Sequence, residues 1–145
     1  MIENLNGIHE TVKYKKNSNV KLFINAEAED YPIHWHTPME IIMPLEGGYT
    51  VQIGNDLVHL NESDIIFIAS GVTHRLIAPD TGKRLILQIE WSAVSKIKEF
   101  NSILTLIAPA ITLTPETSGD IHSNIRKLLL DIVCLLYTSP SPRDA

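Results

Sequence analysis

Short apolar stretches with period-two alternation, glycine and proline turn signals at close spacing between them, and a change to helical period after Trp91 predict a mainly β fold: an antiparallel sandwich or barrel followed by two α-helices. Val20-Lys21-Leu22-Phe23-Ile24 is rich in β-forming residues and ends at Asn25. Glu40 to Glu46 carries Ile41, Ile42, Met43 and Leu45 and stops at Gly47-Gly48. Tyr49 to Ile53 alternates, with Tyr49, Val51 and Ile53 on one face. Gly54-Asn55 is a hairpin turn, and Leu57 to Leu60 is the returning strand. Asp64 to Ile68 is an apolar run of the buried type, and Thr73 to Ala78 is a strand closed by Pro79-Asp80-Thr81-Gly82. Arg84 to Trp91 alternates cleanly: Leu85, Leu87, Ile89 and Trp91 share one face, and Arg84, Ile86, Gln88 and Glu90 the other.

From Ser92 to Leu106 the apolar residues Val94, Ile97, Phe100, Ile103 and Leu104 recur at helical spacing, and Ala108-Pro109 breaks the pattern. Thr114-Pro115-Glu116 then reads as a helix start: a capping threonine, proline at the first helical position and an acid in the first turn. Gly119 costs about 1 kcal/mol relative to alanine inside a helix, so the start can equally fall near Ser118 or Asp120. Beyond it Ile121, Ile125, Leu128 and Ile132 form an apolar stripe, with Leu129 and Val133 beside it.

With 145 residues the chain has the length of one domain and needs no disulfide staples. A net charge of −5 has the wrong sign for a general nucleic-acid footprint. Lys13-Tyr14-Lys15-Lys16 is the one basic cluster and reads as a solvated edge. No apolar run approaches a membrane span and the start lacks the regions of a signal peptide, so a cytoplasmic protein without a membrane partner is expected. Residues 134–145 differ in character from the rest. They resemble the translation of a transposon-end sequencing adapter and read as a non-native tail. Cys134, the single cysteine, falls in that tail and supports no redox argument.

The chemistry concentrates in His34-Trp35-His36-Thr37-Pro38-Met39-Glu40 and in Gly71-Val72-Thr73-His74. In a strand, side chains two apart share a face, so His34 and His36 point the same way and Glu40 keeps their parity, although Pro38 interrupts the run. Three nitrogen ligands and one oxygen ligand can converge on a divalent transition metal, or line a polar pocket without one. His9, His59 and His122 read as ordinary surface or core histidines. Arg75 falls on the face opposite His74, and neither Arg75 nor Gln88 is assigned to the site.

His34 to Glu40 followed by Gly47 resembles the first cupin motif; Gly71 and His74 resemble part of the second, in which Ala69, Ser63 and Ala78 depart from the usual residues. The leading glycine of the first motif is also replaced, by Ala28. The resemblance covers about Val20 to Trp91 and implies a double-stranded β-helix, or jelly-roll, barrel with His34, His36, Glu40 and His74 facing its interior. In metal-binding cupins those four positions would hold iron, manganese, zinc or nickel. His34-Trp35-His36, Glu40-Ile41-Ile42, the Ser63 to Ile68 run and two trailing helices further resemble the amino-terminal half of AraC-type transcription regulators. That resemblance implies an effector-binding barrel over residues 1–91, a helical linker and dimerisation segment over 92–133, and DNA binding by a helix-turn-helix half missing from this chain. Binding of a small polar effector such as a sugar, and a homodimer through Ile121, Ile125, Leu128 and Ile132, are then expected; packing of that stripe on the chain's own barrel is the equal alternative. On this reading the chain is not an enzyme. A stand-alone cupin metalloenzyme, a dioxygenase or isomerase using the histidine–glutamate cluster, is the alternative.

Overall fold

The computed structural model describes residues 4–14, 18–96, 98 and 106–138. Two antiparallel sheets face each other. The first holds five strands, in the order β11 (Ala110–Leu113), β8 (Ile65–Ile68), β5 (Met39–Glu46), β10 (Lys83–Ile89) and β3 (Val20–Asn25). The second holds four: β4 (Tyr31–His34), β9 (His74–Ile77), β6 (Tyr49–Ile53) and β7 (Asp56–Leu60). A small hairpin of β1 (Leu5–Asn6) and β2 (His9–Glu10) lies at the amino-terminal end.

The period-two patterns decide which residues meet between the sheets. Ile42, Ile66, Ile68 and Ile86 of the five-stranded sheet pack with Tyr49, Val51, Ile53, Leu60 and Leu76 of the four-stranded one, and this cluster is the barrel interior. Their neighbours in sequence point outward. Met39, Ile41, Met43, Ile65, Leu85 and Leu87 form a second cluster on the outer face of the five-stranded sheet. That face is covered by the long carboxyl-terminal helix α2 (Pro115–Thr138), which contributes Leu129 at its centre and Ile125, Leu130 and Val133 at its margin. Strands β5 and β10 are therefore apolar on both sides, because each side has its own core.

The strands expected from the sequence are present, with ends shifted by a residue or two. The alternating run of β10 stops at Ile89, two residues before Trp91. The Glu90 side chain accepts a hydrogen bond from the Trp91 amide, and a four-residue helix α1 (Trp91–Val94) begins there. Trp91 is thus exposed rather than aligned with Leu85 and Leu87. Of the helix expected over Ser92 to Leu106, Ile97, Phe100, Ile103 and Leu104 lie outside the described residues, as does the side chain of Val94. The stretch between the two expected helices contains a strand not expected from the sequence. Ala110–Leu113 pairs along β8 and extends the five-stranded sheet; its Ala-Ile-Thr-Leu alternation is too short to stand out beside the Pro109 break.

The start of α2 follows the capping expectation. The Thr117 amide donates to Thr114 Oγ1 at 3.1 Å, and Pro115 is the first helical residue. At Gly119 the backbone turns to φ 46° and ψ −116°, so two helical pieces meet at a kink that a residue with a side chain would adopt only under strain. Past the kink, His122 is buried and its Nε2 donates to the Ser63 carbonyl at 2.6 Å. Arg126 Nε donates to Ser63 Oγ at 3.3 Å. These bonds tie the helix to the turn between β7 and β8.

The apolar stripe divides between the barrel side and solvent. Ile125 is half-buried against the outer core and Ile132 is half-buried, whereas Ile121 and Leu128 are 60% and 58% exposed. The four residues lie along the edge of the docked face, which centres on Leu129, so Ile125 and Ile132 turn toward the barrel side and Ile121 and Leu128 toward solvent. Ile121 and Leu128 form a short exposed apolar row at seven-residue spacing; Leu135, seven residues further on, is exposed too but falls in the tail that reads as non-native.

Candidate functional site

His34 is the last residue of β4 and His74 the first of β9, and the two are directly opposite in register. His36 follows the isolated bridge between Trp35 and His9. Glu40 is the second residue of β5, on the inward parity with Ile42. All four side chains are buried, at 1–2% exposure. The His34 and His74 rings lie 4.2 Å apart between centroids, and the His36 ring lies 4.9 Å from His74. One ring nitrogen from each of the three histidines lies within 4.8 Å of the others. The structure therefore brings all four sequence-predicted side chains together, although the strand ends at His34 and His36 arrives by a bridge rather than a continuous ladder.

The hydrogen bonds fix how the rings are used. His34 Nδ1 donates to the Pro32 carbonyl at 2.8 Å, His36 Nδ1 to that of Pro38 at 2.9 Å, and His74 Nδ1 to that of Val72 at 2.8 Å. Each ring spends its Nδ1 proton on a backbone carbonyl two residues away, so a neutral ring presents a lone pair at Nε2. Two of those nitrogens face the carboxylate: His36 Nε2 lies 3.3 Å from Glu40 Oε1 and His74 Nε2 lies 3.2 Å from Oε2. None of His36 Nε2, His74 Nε2 or Glu40 Oε2 has a hydrogen-bond partner of good geometry among the described residues. Lone pairs facing a carboxylate in a buried site repel unless a positive charge stands between them. A proton on the ring is one such charge and a divalent cation is another. The donor set fits the cation: three imidazole nitrogens oriented by the Pro32, Pro38 and Val72 carbonyls, with one carboxylate beside them.

The charges respond in the same sense. Burial alone would lower the affinity of His36 for its proton, but its contact with the Glu40 carboxylate outweighs burial and raises it. Burial alone would raise Glu40; its contacts with His36 and His74 prevail and hold it well below the usual carboxylate range. His34 is pushed down to about 4, first by burial and then by the neighbouring His74.

Two residues that the sequence left out of the site belong to its wall. Gln88 sits opposite Glu40 in the β10–β5 register, and its Nε2 donates to Glu40 Oε1 at 2.8 Å. Its parity with Ile86 was a usable signal, since a polar residue on an inward face needs a partner. Glu10 Oε1 reaches to 3.7 Å from His34 Nε2. It is delivered by the amino-terminal hairpin, which is bonded to the barrel where Glu10 N meets the Trp35 carbonyl and Trp35 N meets that of Ile8. No local pattern forecasts that docking. Arg75 points away, as its parity predicts, and pairs with Asp30 at 3.8 Å. His9 stacks on Trp35, and His59 is exposed beside Thr50.

Residues 22–89 match the family described as the cupin domain. The barrel has the fold of that family. No curated protein sequence matches the chain closely. Among solved structures, an RmlC-like cupin from Shewanella frigidimarina aligns with TM-score 0.45 and 16% identity over 49% of this chain and 66% of that one. A mutant of Bacillus subtilis oxalate decarboxylase aligns with TM-score 0.46 and 20% identity over 52% of this chain and 22% of that one. Apo ToxT from Vibrio cholerae aligns with TM-score 0.54 and 8% identity, and covers 81% of this chain and 49% of that one. At such identities the likeness is one of fold. The chain thus spans 66%, 22% and 49% of the lengths of these three. Among the described residues, no helix is long and apolar enough to cross a membrane.

Proposed function

We propose that this cupin domain and the helix that follows it are the effector-sensing and dimerisation part of an AraC-type transcription regulator, whose DNA-binding half lies outside this chain. The observation that carries the reading is the pairing of an inward polar cluster with an outward helix seat on the same strands. Glu40 and Gln88 line the interior, while Ile41 and Leu87, their neighbours in sequence, support α2. A binding event inside is thereby adjacent to an element that leads away from the barrel. The likeness in fold to ToxT, an AraC-family regulator, extends beyond the cupin residues and supports the same reading. Ile121 and Leu128, the exposed members of the stripe, offer an apolar face for a second copy.

The sensing reading requires that a small polar molecule bind and leave unchanged. Its test is the parent reading frame beyond Val133 together with binding to the purified protein. Two basic helix-turn-helix patterns in that frame, and a polar effector that raises Tm and is recovered intact, are expected. A frame that stops soon after Val133, or turnover of the bound molecule, overturns it.

A second reading, a stand-alone cupin metalloenzyme of the dioxygenase or isomerase kind, is favoured by the facing lone pairs of His36, His74 and Glu40. His34, His36, His74 and Glu40 would hold iron, manganese, zinc or nickel, which would supply a Lewis-acid centre. The chain's own part is to present these donors, orient them through the Pro32, Pro38 and Val72 carbonyls, and exclude water from them.

A further inference from the structure

A cavity of about 170 Å³ lies against the amino-terminal hairpin, walled by Glu10, Lys13, Lys21, Phe23, Tyr31 and Gln88 among others. It is small beside the roughly 300–1,000 Å³ of pockets for drug-sized ligands. Glu10 and Gln88 belong at once to this cavity and to the wall of the histidine cluster. Lys13 and Lys21 give this wall two positive charges, and Glu10 one negative charge. Lys21 Nζ stands 5.4 Å from the centroid of the Phe23 ring. Gln88 is 4% exposed and its amide nitrogen is engaged by Glu40, while its Oε1 has no partner among the described residues. That oxygen and the Glu10 carboxylate can only accept hydrogen bonds.

We infer that this cavity is the specificity subsite for the effector and that it takes a small hydroxycarboxylate. The carboxylate is met by Lys13 and Lys21; the hydroxyl groups donate to Gln88 Oε1 and Glu10. A neutral polyol offers the lysines no opposite charge, and an apolar molecule leaves Gln88 Oε1 stranded, a buried acceptor with a desolvation cost. The inference rests on the sensing reading and adds the ligand class to it.

The test measures Tm and affinity of the full chain with matched probes: D-galacturonate against D-galactose, and L-lactate against propylene glycol. At least one carboxylate is expected to raise Tm while its neutral counterpart does not. Lys21→Gln is expected to weaken its affinity about tenfold or more, the loss of one charge-assisted hydrogen bond, and Lys21→Arg to retain it. Lys13→Gln serves as an independent second variant. The inference is overturned if neither carboxylate binds, if the neutral partner binds as well, or if binding survives both glutamine substitutions. A neutral polyol that binds and is recovered intact removes the carboxylate assignment and leaves sensing standing. A carboxylate that binds and is converted does the reverse.

Discussion

Gln88 and Glu40 face each other across the β10–β5 ladder, joined by a 2.8 Å hydrogen bond from the amide to the carboxylate. The bond holds one oxygen of Glu40 while the other faces His74. Gln88 is thus a positioning residue for the whole cluster. Gln88→Leu should leave the circular dichroism spectrum intact and weaken binding of zinc by about 10–100-fold, the usual cost of losing an outer-shell partner. A competition titration with a chromophoric chelator reads this directly; unchanged affinity removes Gln88 from that role.

Metal content tests the cluster itself. Protein purified under metal-replete conditions should carry a divalent transition metal, and His34→Ala, His36→Ala and His74→Ala should each lose it while remaining folded. Elemental analysis decides the matter, and undetectable metal in the unmodified protein would sink the metal assignment. The polar-pocket reading would then stand alone.

The two faces of α2 should behave differently. Leu129 is 2% exposed at the centre of the outer core, so Leu129→Ala should cost about 2–5 kcal/mol of stability. Leu128 is 58% exposed, and Leu128→Ala should cost no more than about 0.5 kcal/mol. If the exposed row mediates self-association, Leu128→Asp should shift sedimentation toward the monomer without lowering the urea midpoint extrapolated to low protein concentration.

His122 and the Ser63 carbonyl predict a local effect. His122→Ala leaves that carbonyl without its donor, at a cost of about 1–3 kcal/mol if the group stays buried. Faster amide exchange should appear in the β7–β8 turn and at the start of α2, with the histidine cluster unaffected. Exchange that rises uniformly across the barrel would show that this contact is not a separate tie.

Alkaline stability should depend on Tyr31. Its phenol is pushed up to about 12, first by burial and then by the charges of Glu27, Glu40 and Glu10. A folded-state value above the unfolded one means that the folded chain holds the proton more tightly. The contribution is complete below the unfolded value near 10 and is lost as pH rises through about 12. Urea midpoints at rising alkaline pH should fall less steeply in Tyr31→Phe than in the unmodified protein.

The sequence made the interior legible where a local rule applied. Alternation in Tyr49 to Ile53 and Leu85 to Ile89 sorted residues between two cores, and the spacing of His34, His36, Glu40 and His74 assembled the cluster. What escaped depends on partners distant in sequence. Gln88 looks idle until β10 is laid beside β5. Glu10 has no role until the hairpin folds onto Trp35. The rotation of α2, which buries Leu129 and exposes Leu128, is set by the sheet beneath it and not by the stripe alone. Ala110 to Leu113 forms a strand because β8 offers an edge.

The double-sided character of β5 gives the domain a short mechanical path. Glu40 and Ile41 are consecutive residues pointing to opposite sides of one strand, the first at the polar cluster and the second beneath the helix. A displacement of Glu40 toward an occupant is a tilt of the same peptide that carries Ile41. The distance from input to output is the thickness of a single β-strand, and it crosses close-packed side chains that cannot absorb movement by compressing. Under the sensing function proposed above, the barrel wall would act as a diaphragm: pressed on one side, it would be read on the other.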